Sequence, residues 1–163
     1  MASSVYILLG SNQGNSIKQL EIATQSIAEW VGNVVQSSSI YRTAAWGNTQ
    51  QDAFSNQIIL VRTEKTASQV LRILLTIEDK MERIRTLKWA PRTIDLDILF
   101  YDELILEEPE LTIPHPYLHQ RRFTLIPMAE MAPNFLHPKL LKSISQLLQI
   151  CPDQLSVEKI STK

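Results

Sequence analysis

Residues 93–101 read TIDLDILFY, a period-two alternation that an extended strand can use and a helix cannot. In a strand, Ile94, Leu96, Ile98 and Phe100 point to one face and Thr93, Asp95, Asp97, Leu99 and Tyr101 to the other. The even-numbered face is a core face. The odd-numbered face starts polar and ends apolar, which places a solvent-accessible site at one end of the sheet that this strand joins. Asp95 and Asp97 would lie roughly 6.5–7 Å apart along it. Two carboxylates so placed repel each other, and burial adds desolvation, unless a cation sits between them. Paired hard oxygen ligands suit Mg²⁺, which usually completes its octahedron with phosphate oxygens and water. Taken alone, the pair fits the wet face of a half-buried strand better, and it is the neighbouring residues that favour a site.

The flanking segments set the class of fold. VYILLG (5–10) is a strand whose Gly10 opens the loop SNQGN. A helix follows from about Ser16, where Ser16 and Gln19 fit a capping box, with Ile17, Leu20, Thr24, Ile27 and Val31 as its inner stripe. Gly32-Asn33 makes a turn into a second strand, roughly 34–42, and FSNQIILVRT (54–63) is a third. Thr66 and Gln69 form a second capping box, opening a helix to about Arg83 that aligns Val70, Leu74, Ile77, Met81 and Ile84. The strand at 93–101 is the fourth. A short helix near 123–131 and a last one near 138–149 follow. The order β-α-β-β-α-β predicts an α+β, ferredoxin-like sandwich with additional C-terminal helices. That fold hosts many activities and decides none.

A chain of 163 residues with no repeat, linker or low-complexity tract is expected to form a single domain, residues 1–163. Its net charge of −1 argues against capture by nucleic acid or an anionic membrane. No apolar run approaches the roughly 20 residues that span a bilayer, and the N-terminus lacks a basic n-region. The single cysteine, Cys151, allows no intrachain disulfide. A cytoplasmic, monomeric protein is the expectation.

Local charge is uneven. Arg83, Arg85, Lys88 and Arg92 form a basic run, and the next 18 residues, 93–110, hold seven acids without a Lys or Arg. His115, Arg121 and Arg122 follow. Arginine forks bind phosphate oxygens bidentately, so an acid pair beside an arginine cluster suits a nucleoside triphosphate. No G-x-x-x-x-G-K-[ST] or G-x-G-x-x-G occurs, so the phosphates would be held by side chains and metal. The segments 43–53 and 84–92, each with a Trp (Trp46, Trp89), are long enough to be functional loops. Two other readings compete at this point. One is a nucleotidyltransferase that attacks the α-phosphorus. The other is a ferredoxin-like RNA-binding module, which would need exposed aromatics where this strand has aspartates.

The segment K88-W-A-P-R92-T-I-D95-L-D97-I-L99 is similar to the signature of the 6-hydroxymethyl-7,8-dihydropterin pyrophosphokinases of folate biosynthesis. So, in order, are LLGSNQGN, YRTAAWG, FSNQIILV, IEDKMERIR, LTIPHP and RRFTLIPMAEMAP, which together cover nearly the whole chain. The resemblance implies transfer of a pyrophosphoryl group from ATP to the pterin alcohol, with release of AMP. It implies that Asp95 and Asp97 hold two Mg²⁺ ions, and that Arg83 and Arg92 serve catalysis with them. ATP would be bound by Glu78, Arg83, Arg85, Trp89, Arg92, Ile98, Leu111, Thr112, His115 and Arg121. The pterin would lie between Phe54 and Phe123 and be read by Asn56, with Thr43, Ala44, Trp46 and Asp95 around it. A carboxylate such as Asp97 is a candidate to take the hydroxyl proton, and the two long loops would close over the substrates. The chain departs from the family pattern at Ala44-Ala45, where a proline is usual, and at Leu75, Glu82 and Glu110.

Overall fold

The structure, a computed structural model, describes residues 2–12, 15–43, 53–83 and 94–160, with Arg83 described in its backbone only. Strand β1 (Ser3–Ser11) lies between β4 (Phe54–Thr63) and β5 (Asp95–Tyr101), antiparallel to both. On the far side of β4, the expected second strand arrives as two pieces, β2 (Asn33–Ser37) and β3 (Tyr41–Thr43). The break falls on Ser38 and Ser39. The Ser38 hydroxyl accepts the Ile58 N–H at 3.0 Å and donates to the Ser39 carbonyl at 2.7 Å, so a side chain replaces a ladder bond. Serine competes with the backbone in this way wherever a run of it interrupts a strand. A last short strand, β8 (Val157–Lys159), pairs with β3 at the edge of the sheet. A separate hairpin joins β6 (Leu106–Glu107) to β7 (Thr112–Ile113).

Helices cover both faces. Helices α1 (Ser16–Trp30) and α2 (Ala67–Arg83) pack on one. Their stripes, Leu20, Ala23 and Ile27 with Val31 just beyond, and Val70, Leu74, Ile77 and Met81, meet Val5, Ile7, Leu9, Ile59, Val61, Leu96 and Ile98 of the sheet. Ala23 takes the place expected of Thr24, whose hydroxyl turns back to the Leu20 carbonyl. The other face carries Tyr6, Leu8, Ile58, Leu99 and Phe100, covered by α3 (Arg122–Met131) and α4 (Ile144–Gln149) through Leu125, Met128, Ile144 and Leu147. Tyr6, Phe100 and Phe135 interlock there, with ring centroids 4.6–6.3 Å apart.

Three local expectations are corrected. The cap of α1 is Asn15, whose side chain accepts the Lys18 N–H at 3.1 Å, while Ser16 bonds Ser55 instead. The last helix begins at Ile144 rather than near 138, because Ser143 and Gln146 cap it reciprocally and Leu141, at φ 57°, breaks the chain direction just before. The alternation in β5 also fails once. Tyr6 pairs with Phe100 and Ile7 with Ile98, so Leu99 is an extra residue and a bulge. Beyond it the faces exchange: Phe100 joins Leu99 in the α3 core, and Tyr101 packs on the α1–α2 side. The Thr66–Gln69 capping box, by contrast, forms with both of its hydrogen bonds. Ile84 and Thr93 lie outside the described residues.

Candidate active site

Residues directly opposite in an antiparallel ladder share a face. Asp95 pairs with Gly10, Gly10 with Asn56 and Asn56 with Tyr41; one step along, Asp97 pairs with Leu8 and Leu8 with Ile58. The ends of β5, β1, β4 and β3 therefore present one continuous row to the α3 side. A cavity of about 420 Å³ opens over that row. Leu8, Gly10, Thr43, Phe54, Asn56, Asp95 and Asp97 form its floor and walls from the sheet. Tyr117, Gln120 and Arg121 close it from the segment before α3, Phe123 from the first turn of α3, and Leu155 from the C-terminal segment.

Asn56 is 3% exposed, and its Nδ2 donates to Thr43 Oγ1 at 3.0 Å. That bond fixes which edge of the amide faces the cavity. Gly10 makes room for it: a Cβ there would sit 2.9 Å from Asn56 Oδ1. An amide with a fixed orientation beside two aromatic side chains, Phe54 and Phe123, suits a flat heteroaromatic ring with its own donors and acceptors.

At the other side of the cavity stand the half-buried Asp95 and Asp97. The residue between them is held from behind. Glu78 on α2 is 8% exposed, and its Oε2 accepts the Leu96 N–H at 2.7 Å. This buried bond fixes the backbone from which both aspartates project. Two adjacent carboxylates facing one cavity form a hard-oxygen donor set that fits Mg²⁺ shared with substrate phosphates. Among the described residues no group of three or more His, Cys, Asp or Glu is gathered.

Cationic and donor groups come from the segment before α3. The Arg121 guanidinium lies 5.4 Å from the Tyr117 ring and 5.7 Å from the Phe123 ring, within cation–π range of each. The His115 N–H donates to the carbonyl of the bulged Leu99 at 3.0 Å, tying this segment to β5. Burial, with the charge of Arg121 second, pushes the His115 imidazole down to about 4. It is thus neutral at pH 7, not one of the cations expected from the sequence. Its Nδ1 accepts the Tyr117 N–H at 3.2 Å, which leaves Nε2 as the N–H donor.

The structure brings together Thr43, Phe54, Asn56, Asp95, Asp97, Arg121 and Phe123 of the residues expected from the sequence. Glu78 acts from behind the acid pair. Ile98 and Leu111 are buried in the α1–α2 core, away from this cavity. Thr112 and His115 border a smaller cleft of about 150 Å³ with His119 and His137. Ala44, Trp46, Arg85, Trp89 and Arg92, the side chain of Arg83 and most of the two expected closing loops lie outside the described residues. Leu8, Gly10, Tyr117, Gln120 and Leu155 were not anticipated. Gly10 alone carried a legible signal, as a glycine at the end of a hydrophobic strand.

Residues 6–133 match the family model described as 7,8-dihydro-6-hydroxymethylpterin-pyrophosphokinase (HPPK). The chain is 42% identical over 142 residues to the 2-amino-4-hydroxy-6-hydroxymethyldihydropteridine pyrophosphokinase of Synechocystis sp., an alignment covering 86% of this chain and 72% of that protein. It is 39% identical over 132 residues to the protein of the same name from Methylorubrum extorquens, covering 80% and 84%. Its backbone superposes on a crystal structure of a Plasmodium falciparum HPPK-DHPS with a TM-score of 0.76 at 16% identity, covering 91% of this chain but 45% of the longer one. That likeness is one of fold. The family match and the two relatives, extending over most of the chain, place it in the 7,8-dihydro-6-hydroxymethylpterin-pyrophosphokinase family.

Proposed function

We infer that the chain transfers the pyrophosphoryl group of ATP to the hydroxymethyl group of 6-hydroxymethyl-7,8-dihydropterin and releases AMP, a step of folate biosynthesis. The observation that carries this reading is one cavity holding both an amide-and-aromatic pocket, Asn56 with Phe54 and Phe123, and the Asp95–Asp97 pair. The pterin ring lies between the two phenylalanines with Asn56 on its edge, and its hydroxymethyl group points to the aspartates. The pterin oxygen forms a bond to the β-phosphorus as the bond from that phosphorus to the α,β-bridging oxygen breaks, and AMP leaves with that oxygen. The hydroxyl proton passes to the Asp97 carboxylate or to water. Asp95 and Asp97 would hold Mg²⁺, two ions in our reading, which when bound draws charge from the phosphate oxygens and orients the triphosphate. Arg121 and neutral His115 contribute N–H donors to the phosphates. Arg83, Arg85, Trp89 and Arg92 complete the nucleotide side with Thr112, while Glu78 supports the acid pair from behind and Ile98 and Leu111 back the site from the core; Ala44 and Trp46 complete the pterin side.

We further read the strand order β5-β1-β4 with β2 and β3 beyond as a ferredoxin-like plan, and residues 1–163 as one domain acting as a cytoplasmic monomer. No helix among the described residues is long and apolar enough to cross a membrane. The test is turnover of ATP and the pterin by wild type, Asp95→Asn and Asp97→Asn, with pterin binding measured in parallel. The reading expects Mg²⁺-dependent AMP from wild type, and pterin binding without turnover from both variants. Wild-type turnover in either variant would refute the acid pair's role.

A further inference from the structure

The C-terminal segment 151–160 has no part in the chemistry described so far, yet it enters the cavity. Leu155, half-buried, lines it. Two residues before, Asp153 is 6% exposed, a burial that a carboxylate tolerates only with good partners. It has two. Its Oδ2 accepts the Arg122 N–H and its Oδ1 the Leu155 N–H, both at 2.9 Å. Arg122 is the first residue of α3, and the residues on either side of it, Arg121 and Phe123, both line the cavity. Arg121 occupies the N-cap position without a side-chain cap bond of its own. Asp153 supplies the acceptor from elsewhere in the chain, and its negative charge suits the positive end of the helix dipole. Beyond Leu155, β8 pairs with β3, with Val157 opposite Thr43, another cavity residue.

We propose that this segment is a working part of the pterin pocket: Leu155 is a wall that touches the ring, and Asp153 is a positioning residue. One buried carboxylate sets the backbone of the wall and the start of α3 relative to each other. Capping from outside is also what lets the N-cap be an arginine whose guanidinium serves the site. The proposal deepens the pterin reading above and rests on it.

The experiment is calorimetric titration of 6-hydroxymethyl-7,8-dihydropterin into the protein with Mg²⁺ and a non-hydrolysable ATP analogue, for wild type, Leu155→Ala, Asp153→Ala, Asp153→Asn and, as a control, the exposed Gln154→Ala. Steady-state KM values for pterin and for ATP are measured alongside, well below each protein's Tm. Leu155→Ala should weaken pterin binding about tenfold, the order expected when a few carbons of an apolar wall are removed. Asp153→Ala should do at least as much, and Asp153→Asn, which keeps one acceptor, should recover part of the loss. KM for ATP should stay near wild type in Leu155→Ala. Wild-type pterin affinity in both Leu155→Ala and Asp153→Ala, even with a lowered Tm, would show that the segment is only structural and overturn the proposal. If Asp153→Ala does not fold, Leu155→Ala decides by the same criterion. Failure of the pterin reading looks different: wild type itself would then neither bind the pterin nor form AMP.

Discussion

Replacing Gly10 with alanine tests whether the pocket is shaped around the Asn56 amide. The strand backbone at Gly10 is one that alanine can adopt, so the effect is purely steric. The new methyl would stand 2.9 Å from Asn56 Oδ1 and 4.0 Å from the Phe54 ring edge. A carbon–oxygen contact relaxes only near 3.3 Å, so the amide must move by about 0.4 Å or rotate. Its Nδ2 already donates to Thr43 at 3.0 Å, and such a shift takes that bond to the limit of useful geometry. Weakening one buried hydrogen bond costs about 1 kcal/mol, and misplacing the amide against the ring costs about 1–3 kcal/mol more in substrate binding. The alanine regains about 0.4–1 kcal/mol through the unfolded chain. Global stability should therefore change little, while kcat/KM for the pterin falls about 5- to 150-fold with KM for ATP unaffected. Urea denaturation and initial rates at varied pterin separate the two. A large loss of stability, or an unchanged pterin KM, would refute the assignment of Asn56 as the ring-reading group.

Gly32→Ala should give the opposite pattern, because its methyl would meet the Arg62 backbone carbonyl, which cannot move aside. The expected result is a loss of about 1–3 kcal/mol in urea denaturation with normal KM values in the folded fraction. Glu78→Ala should leave the Leu96 N–H buried without that acceptor, lowering stability by about 1–3 kcal/mol. It should also raise the Mg²⁺ concentration needed for half-maximal turnover; an unchanged Mg²⁺ dependence would sever Glu78 from the acid pair. Stability should fall on mild acidification. His115 is pushed from 6.5 down to about 4 by burial and then by Arg121. His137 is pushed down equally, by burial and then by His119 and Lys139, while its Nδ1 accepts the N–H groups of Lys139 and Leu140. In both cases the unfolded chain binds the proton first, so this stability is complete above pH 6.5 and is lost as pH falls through about 4. The unfolding free energy from urea titration should decline between pH 6.5 and pH 5, by about 1 kcal/mol per pH unit for each histidine after allowance for solvent screening. A flat profile over that window would contradict the burial of both rings.

Residues with a local reason for their place were legible. The third strand spans Phe54–Thr63, the bounds expected from its run of β-branched and aromatic residues, and Thr66 with Gln69 caps α2 as the spacing requires. The Asp95–Asp97 pair, Phe54, Asn56 and Phe123 were expected in one site and share one cavity. What escaped was set by distant partners. The Leu99 bulge exists because Phe100 packs with Tyr6 and Phe135, and no pattern within residues 93–101 announces that exchange of faces. Leu155 reaches the cavity only because Asp153 and β8 fold the C-terminal segment back over β3. The start of α4 was readable in Ser143 and Gln146 but was masked by the apolar residues 140–141 preceding it.

In this reaction the β- and γ-phosphates of ATP move together onto the pterin alcohol. Phosphorus NMR of a complete reaction mixture with Mg²⁺ tests it without labels or coupling enzymes. AMP is expected together with two mutually coupled phosphorus signals on the pterin product, in equal amounts. ADP with a single pterin phosphate, or free pyrophosphate with an adenylated pterin, would contradict it.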